Sequence, residues 1–439
     1  MRTKNFKENK VNIVTLGCSK NQVDSEDIAT QLKHNNTYKV AHNSEQRDAN
    51  IIIVNTCGFI ESAKEESINT ILHYASMKEK GKIEKLYATG CLTQRYREEL
   101  SQEIKGVDGW FGTFDMPDLL AQLNVNYKHN LVGEKLLSTP SHYAYLKISE
   151  GCNRTCSFCA IPLMRGQHKS KSIEDILLEA KNLAQQGVKE IMLIAQELTY
   201  YGLDIYKKRA LADLLYQLNE VEGIEWIRLH YAYPSKFPFE IVEAMAKCNK
   251  VCNYLDMPLQ HASDNILHAM KRQITKQETI DLINSIRNKI PDISIRTTML
   301  VGFPGETEQD FEELCDFVKE MRFDRLGVFT YSHEDSTSGY LLEDNLSEEE
   351  KNSRASKLMH IQEEISEQLN EKKIGSIQKV LIDRVDDEYY YGRTQYDSPE
   401  VDNEVLIAHN NEVYARIGDF IQVEIEDAGP FDLYGSIIN

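Results

Sequence analysis

The chain has 439 residues, enough for about three domains each with its own core, so a peptide hormone or a disulfide-stapled mini-protein is excluded. Lys and Arg number 50 against 69 Asp and Glu, a formal net charge of −19, which argues against a surface that embraces nucleic acid or anionic membrane over its whole extent. Nine cysteines make an odd count at low density; together with a polar start at residues 1–10 and no run of about 18 apolar residues, they predict a soluble, cytoplasmic protein whose patterned cysteines are metal or redox ligands.

The first segments alternate strand-like and helix-like runs. Residues 11–16 read as a strand ending at Gly17-Cys18, a polar helix-like stretch covers about 24–33, residues 51–54 end at Asn55-Thr56-Cys57-Gly58, and residues 85–89 end at Gly90-Cys91. Such alternation predicts a mostly parallel sheet, and ligands of open parallel sheets bind outside the carboxyl ends of the strands. Cys18, Cys57 and Cys91 are therefore expected on one sheet edge. A single cysteine there is an ordinary small core residue. Three at one topological position, flanked by Gly17, Gly58 and Gly90, fit thiolate ligation of zinc or of an iron-sulfur cluster, and these residues alone leave the metal open.

A strand-like run at 143–148 leads into Glu150-Gly151-Cys152-Asn153-Arg154-Thr155-Cys156-Ser157-Phe158-Cys159. Three closely spaced thiolates can hold three irons of a 4Fe-4S cluster and leave the fourth open to an exchangeable ligand. Zinc scaffolds usually supply a fourth protein ligand and ferredoxins use four cysteines per cluster, so both fit less well. Six strand-like runs, at 143–148, 190–195, 226–230, 254–258, 294–301 and 325–331, alternate with helices, one of them opened by Ser172 and Asp175. Six βα units predict a partial barrel with its active site at the carboxyl ends of the strands. Gln196-Glu197, Gln260-His261 and the turn Gly302-Phe303-Pro304-Gly305-Glu306 fall there, and Arg296 in the fifth strand is a candidate partner for a carboxylate. The turn equally fits a plain helix start with Glu306 complementing the dipole. Cys248, Cys252 and Cys315 read as packing residues.

Residues 346–373 predict a long amphipathic helix, opened by Ser347 and Glu350. Five short runs follow, at 379–384, 388–394, 404–408, 412–416 and 421–426, and predict a small five-stranded barrel of the OB type. The last 65 residues carry 14 acids against four bases, a surface expected to repel a phosphate backbone and attract a basic partner.

Cys152, Cys156 and Cys159 match the signature of the radical S-adenosylmethionine (SAM) superfamily. That resemblance implies that SAM chelates the open iron and is cleaved by a cluster electron to methionine and a 5′-deoxyadenosyl radical, and it makes Glu197 and Arg296 SAM contacts. The order of parts, an N-terminal domain at 10–127, a radical SAM core at 138–371 and a C-terminal module at 374–439, resembles the methylthiotransferases, whose TRAM domain the last module is similar to. The expected class is α/β: a parallel-sheet domain, a partial (βα)6 barrel and a small OB-like β-barrel.

Within that family, Leu16-Gly17-Cys18-Ser19-Lys20-Asn21 followed by Val23-Asp24-Ser25-Glu26, with Gly392-Arg393-Thr394-Gln395 and Asp397-Ser398-Pro399-Glu400-Val401-Asp402, resembles the branch that modifies small-subunit ribosomal protein S-twelve. Relatives that modify a tRNA adenosine typically carry Gln and Met where Ser19 and Lys20 stand. The resemblance implies that Cys18, Cys57 and Cys91 hold a second 4Fe-4S cluster. It implies a reaction that replaces a C–H at the β-carbon of one aspartate by C–S–CH3, one SAM giving the methyl group and a second the radical. A reductant and a sulfur donor are the further implied partners, with no membrane and no nucleic-acid substrate. Methylthiolation of a tRNA adenosine, and an iron-sulfur electron carrier without substrate chemistry, are the rival readings.

Overall fold

The computed structural model describes residues 9–35, 37–44, 48–128, 131, 133–409 and 414–438. The polar start read at residues 1–10 lies outside them up to residue 8. In the first unit, β-branched runs form the strands Asn9–Thr15 and Ile51–Thr56 and a mostly apolar run forms Lys85–Gly90, with Tyr38–His42 and Gly109–Trp110 at the edges. All pair in parallel, in the spatial order 38–42, 9–15, 51–56, 85–90, 109–110. Ile51–Thr56 is buried at every residue, which is why it reads as an unbroken apolar run. The edge strand Tyr38–His42 is not fully buried at any residue and carries no such signal. Helix Ser19–Lys33 packs Ile28, Ala29 and Leu32 against Val11, Ile13, Ile51 and Ile53 on one face. Helices Glu61–Glu79 and Cys91–Glu103 cover the other through Ile71, Leu92 and Leu100.

The second unit is the expected six-stranded parallel sheet, Tyr143–Lys147, Glu190–Ile194, Trp226–Leu229, Val251–Asp256, Ser294–Val301 and Arg325–Thr330, in spatial order along the chain. The fourth strand begins three residues before the expected start, at Val251. One face packs Leu146, Ile191, Leu193, Ile227, Leu229 and Ile295 under the helices. Alternate residues, among them Tyr143, Glu190, Arg228, Tyr254 and Arg296, point to the other face, as the strand period requires. Cys248, Cys252 and Cys315 are buried in apolar clusters.

Helix Glu348–Glu371, capped by Ser347 whose Oγ accepts from the Glu350 amide at 3.2 Å, leads to a closed barrel. Its strands are Ile377–Val385, Tyr389–Arg393, Val405–Ala408, Leu433–Ile437 and Phe420–Ala428 around the barrel. One expected strand is corrected. Of the run at 412–416, residues 412 and 413 lie outside the described residues and 414–416 are not in a strand. The fifth strand is Leu433–Ile437, paired in parallel with Val405–Ala408. Gly435 hides it from a propensity reading, and a glycine is required because a Cβ there would run into the Glu424 backbone.

Lys135, between the first two units, is buried 2.7 Å from Glu179, which also meets Lys171 at 2.9 Å. Burial alone would raise the Glu179 carboxyl; the two ammonium groups outweigh it and hold the group at about 2. A depressed carboxyl contributes stability that is fully present above its unfolded value of 4.5 and is lost as pH falls toward the folded value. The stability difference between wild type and Glu179→Gln should therefore be constant above about pH 5 and shrink by on the order of 3 kcal/mol as pH falls from about 4.5 to about 2. Denaturant unfolding at a series of pH values measures it, and a difference that does not change with pH over that interval would contradict the assignment.

Candidate active site

The three thiols of the first unit stand past the carboxyl ends of neighbouring strands, Cys18 exposed, Cys57 and Cys91 buried. Glycine makes this convergence possible. Gly17 has φ +87°, and a Cβ on it would lie 2.8 Å from Cys57 Sγ; Gly90 has φ +104°, and a Cβ there would lie 2.6 Å from the Thr56 carbonyl oxygen. Asn21, in the first turn of helix Ser19–Lys33, ties the loops by donating to the carbonyls of Leu16 at 2.8 Å and Thr56 at 3.0 Å.

In the second unit the loop after strand Tyr143–Lys147 carries the other triad. The Arg154 amide lies 3.4 Å from Cys152 Sγ, Arg272 Nη1 3.4 Å and Tyr233 Oη 3.6 Å from Cys156 Sγ. Glu197, 1% exposed, accepts from Arg154 at 3.0 Å and caps the following turn through the Thr199 amide at 2.7 Å. It thereby clamps the cysteine loop, with the Arg154 guanidinium between the rings of Tyr200 and Tyr233 at 4.0 and 3.9 Å.

Burial pushes the Cys91 thiol up to about 12 and that of Cys152 up to about 11, and raises Cys57 and Cys159 as well. Buried thiols of this kind become thiolates when a metal supplies the compensating charge. Two sets of three cysteines, each with N–H donors aimed at sulfur, fit the donor chemistry of 4Fe-4S clusters. Among the described residues no three His, Cys, Asp or Glu side chains gather as the ligands of one metal ion would.

Cys91 of the first set lies against the segment that follows the second set. Helix Ile161–Arg165 starts two residues after Cys159, and Arg165 at its end donates from Nε to Cys91 Sγ at 3.2 Å and from Nη1 to Asp24 at 2.5 Å. Lys147 bridges Asp24 at 2.5 Å and Glu150 at 2.6 Å. Cys91 packs with Ala160, Ile161 and Met164. Arg95, on the helix that Cys91 begins, reaches Glu334 at 2.7 Å and Asp335 at 2.6 Å beyond the last barrel strand. Nothing local in the sequence marks Lys147, Arg165 or Arg272, and Asp24 stands out only as part of a family-like segment. Each acts on a residue that is near only once the chain is folded.

The remaining sequence candidates are placed differently. Arg296 meets Asp256 and Asp402, each at 3.2 Å, the latter from the C-terminal barrel, so its charge is met at the joint between two units. Glu306 folds back on the amides of Gly302 at 2.8 Å and Phe303 at 3.3 Å and on Arg354 at 2.7 Å, which makes it a builder of its own turn. Gln196 donates to Glu150, and His261 Nε2 lies 3.6 Å from Glu306.

Family models match the three units in order: "Uncharacterized protein family UPF0004" at 10–112, the radical SAM superfamily at 146–318 and the TRAM domain at 374–438. Curated relatives named ribosomal protein uS12 methylthiotransferase RimO include that of Cytophaga hutchinsonii, 56% identical over 100% of both chains. Those of Christiangramia forsetii, 55% identical over 100% of this chain and 96% of the relative, and Flavobacterium johnsoniae, 54% identical over 99% of both, carry the same name. Among solved structures the fold is similar to the radical SAM methyltransferase TsrM of Kitasatospora setae, with a TM-score of 0.56 over 73% of both chains at 14% identity. The radical SAM match and the curated relatives make this a radical SAM methylthiotransferase, an enzyme of SAM and 4Fe-4S clusters. Within that class the chain belongs to the RimO family.

Proposed function

We propose that this enzyme adds a methylthio group to the β-carbon of an aspartate in small-subunit ribosomal protein S-twelve, with Cys18, Cys57 and Cys91 holding one 4Fe-4S cluster and Cys152, Cys156 and Cys159 the other. The observation that carries the reading is the packing of Cys91 against Ala160, Ile161 and Met164, directly after Cys159, with Arg165 Nε 3.2 Å from its Sγ. When bound, the clusters and SAM supply a hydrogen-abstracting radical and a methylated sulfur. An unactivated C–H bond offers no acidic proton to a general base, so the side chains serve instead to bind the aspartate between the two cysteine sets, orient its β-carbon and exclude water. Glu197 contributes by fixing Arg154, and Arg165, Asp24, Lys147 and Glu150 hold the two units in register across the gap.

A basic ribosomal protein would be drawn by acids that remain exposed on the C-terminal barrel, Asp386, Asp387, Glu388, Glu424, Glu426 and Asp427. Asp383, Asp397 and Asp402 do not contribute, because they face the core and are paired with Arg393, Arg325 and Arg296. A reductant and a sulfur donor complete the scheme. Among the described residues no helix is long and apolar enough to cross a membrane; a ribosomal substrate is what supports action in the cytoplasm. Anaerobically reconstituted enzyme with SAM should leave a methylthio mass gain on an aspartate of S-twelve and none on tRNA. A gain on tRNA alone would overturn the reading.

A further inference from the structure

The buried cations around the barrel have partners: Arg272 donates to the Pro258 carbonyl and lies 3.4 Å from Cys156 Sγ, and the others meet acids. Arg228 meets Glu190 at 2.8 Å, Arg325 meets Asp397 at 2.5 Å, Arg393 meets Asp383 at 2.5 Å and Lys147 meets Asp24 at 2.5 Å. Lys20 is the exception. It is only 7% exposed, yet among the described residues its ammonium makes no ion pair and no hydrogen bond, and lies over the Tyr231 ring, 3.0 Å from the centroid. The ammonium is also not among the polar atoms sealed from solvent, so the buried stem delivers its charge to an accessible space.

The location of that space follows from the fold. Lys20 lies two residues past Cys18, in the first turn of helix Ser19–Lys33. Val23, three residues on and hence on the same helix face, packs against Tyr143, Tyr145, Met192 and Ile194 of the barrel wall. Lys20 therefore enters the barrel from the unit that holds one cysteine set, toward the unit that holds the other. Its platform is held in place: Tyr231 follows the third barrel strand with φ +63°, a left-handed conformation uncommon for an aromatic residue. Two hydrogen bonds fix it there, from its own amide to Asp256 at 3.1 Å and from the Leu198 amide to its carbonyl at 3.2 Å. His230, next to it, is kept neutral by burial and by the charges of Arg228, Arg296 and Lys20, and offers no anion.

We infer that Lys20 binds the side-chain carboxylate of the substrate aspartate and so fixes its β-carbon between the two cysteine sets. The inference rests on the aspartate reading given above. A cation–π contact compensates a buried ammonium only in part. An arriving carboxylate would complete it with a charge-assisted hydrogen bond, and a neutral amide of the same shape would not.

The test uses the reconstituted holoenzyme, S-twelve itself, and S-twelve in which the residue that gains the methylthio mass is changed from Asp to Asn. Wild type should bind the Asp protein about 30-fold more tightly than the Asn protein, or about 2 kcal/mol at roughly 1.36 kcal/mol per decade. Lys20→Met should abolish that preference and raise KM for S-twelve with iron content unchanged, and Lys20→Arg should keep most of the preference. Should Lys20→Met fail to take up iron, Lys20→Gln carries the same comparison. An iron-replete neutral variant that still prefers the Asp protein overturns this inference alone. A wild-type enzyme that leaves S-twelve unmodified overturns the aspartate reading and the inference together.

Discussion

Alanine at Cys152, Cys156 and Cys159 together is expected to remove about half of the iron that the reconstituted enzyme holds and all cleavage of SAM, if each cysteine set holds one cluster. Alanine at Cys18, Cys57 and Cys91 should remove the other half, leave SAM cleavage in place and abolish methylthiolation. The asymmetry follows from the fold. Cys152, Cys156 and Cys159 sit in the loop after the first barrel strand, clamped by Glu197 through Arg154, whereas the other three stand on a separate sheet with its own core on both faces. Each scaffold can therefore persist when the other loses its ligands. Arg165 is the direct link to Cys91 Sγ, and a collapse of its helix would appear as iron loss beyond one half. Iron analysis and 5′-deoxyadenosine production decide the matter. SAM cleavage surviving in the first variant, or iron unchanged in either, would refute the assignment.

What can be read from the sequence is local. The strands that end in Cys57 and Cys91 are buried along nearly their whole length, so they announce themselves as β-branched and apolar runs, and the glycines beside the thiols mark tight turns. The C-x3-C-x2-C loop lies within eight consecutive residues. What cannot be read depends on docking. Arg165 and Cys91 are 74 positions apart, and Arg296 and Asp402 are 106 apart. The sequence marks Arg296 as a partner for a carboxylate; that two carboxylates come from this chain itself is decided by the C-terminal barrel and the neighbouring strand. The same barrel shows why a charge count misleads: part of its acidity faces inward and neutralises arginines of the core. Lys20 is visible in the sequence only as part of a family-like segment, because its significance lies in what it does not pair with.

The second large loss is expected from Glu190→Gln. Glu190 opens the second barrel strand, is fully buried, and lies between two guanidiniums from different units, Arg228 at 2.8 Å and Arg393 at 2.8 Å. Burial would raise its carboxyl, but Arg393 and Arg228 outweigh that and hold it below the usual range. Arg393 has a further carboxylate in Asp383, and Asp383 in turn meets His142 Nε2 at 2.7 Å. Arg228 has, among the described residues, only Glu190 as an anion, its other bonds going to the carbonyls of Gln395 and Thr394. A neutral amide in place of the Glu190 carboxylate would leave a buried cation without its anion, which costs about 3–5 kcal/mol. The loss should concentrate at the joint, where Asp397, Ser398, Glu400 and Asp402 of the C-terminal barrel meet Arg325, His230, Tyr143 and Arg296. Limited proteolysis should therefore release the C-terminal barrel at residues 372–376 earlier than any cut within the core, and denaturant unfolding should show the lowered stability. Removing the stranded cation as well, in Glu190→Gln with Arg228→Met, should recover part of the loss, since an apolar side chain in that site has no charge to compensate. A single variant within about 0.5 kcal/mol of wild type, or a double variant no better than the single, would mean that water and not Glu190 compensates Arg228, and that the C-terminal barrel is held to the core by its apolar contacts with Trp226 and Tyr254 instead.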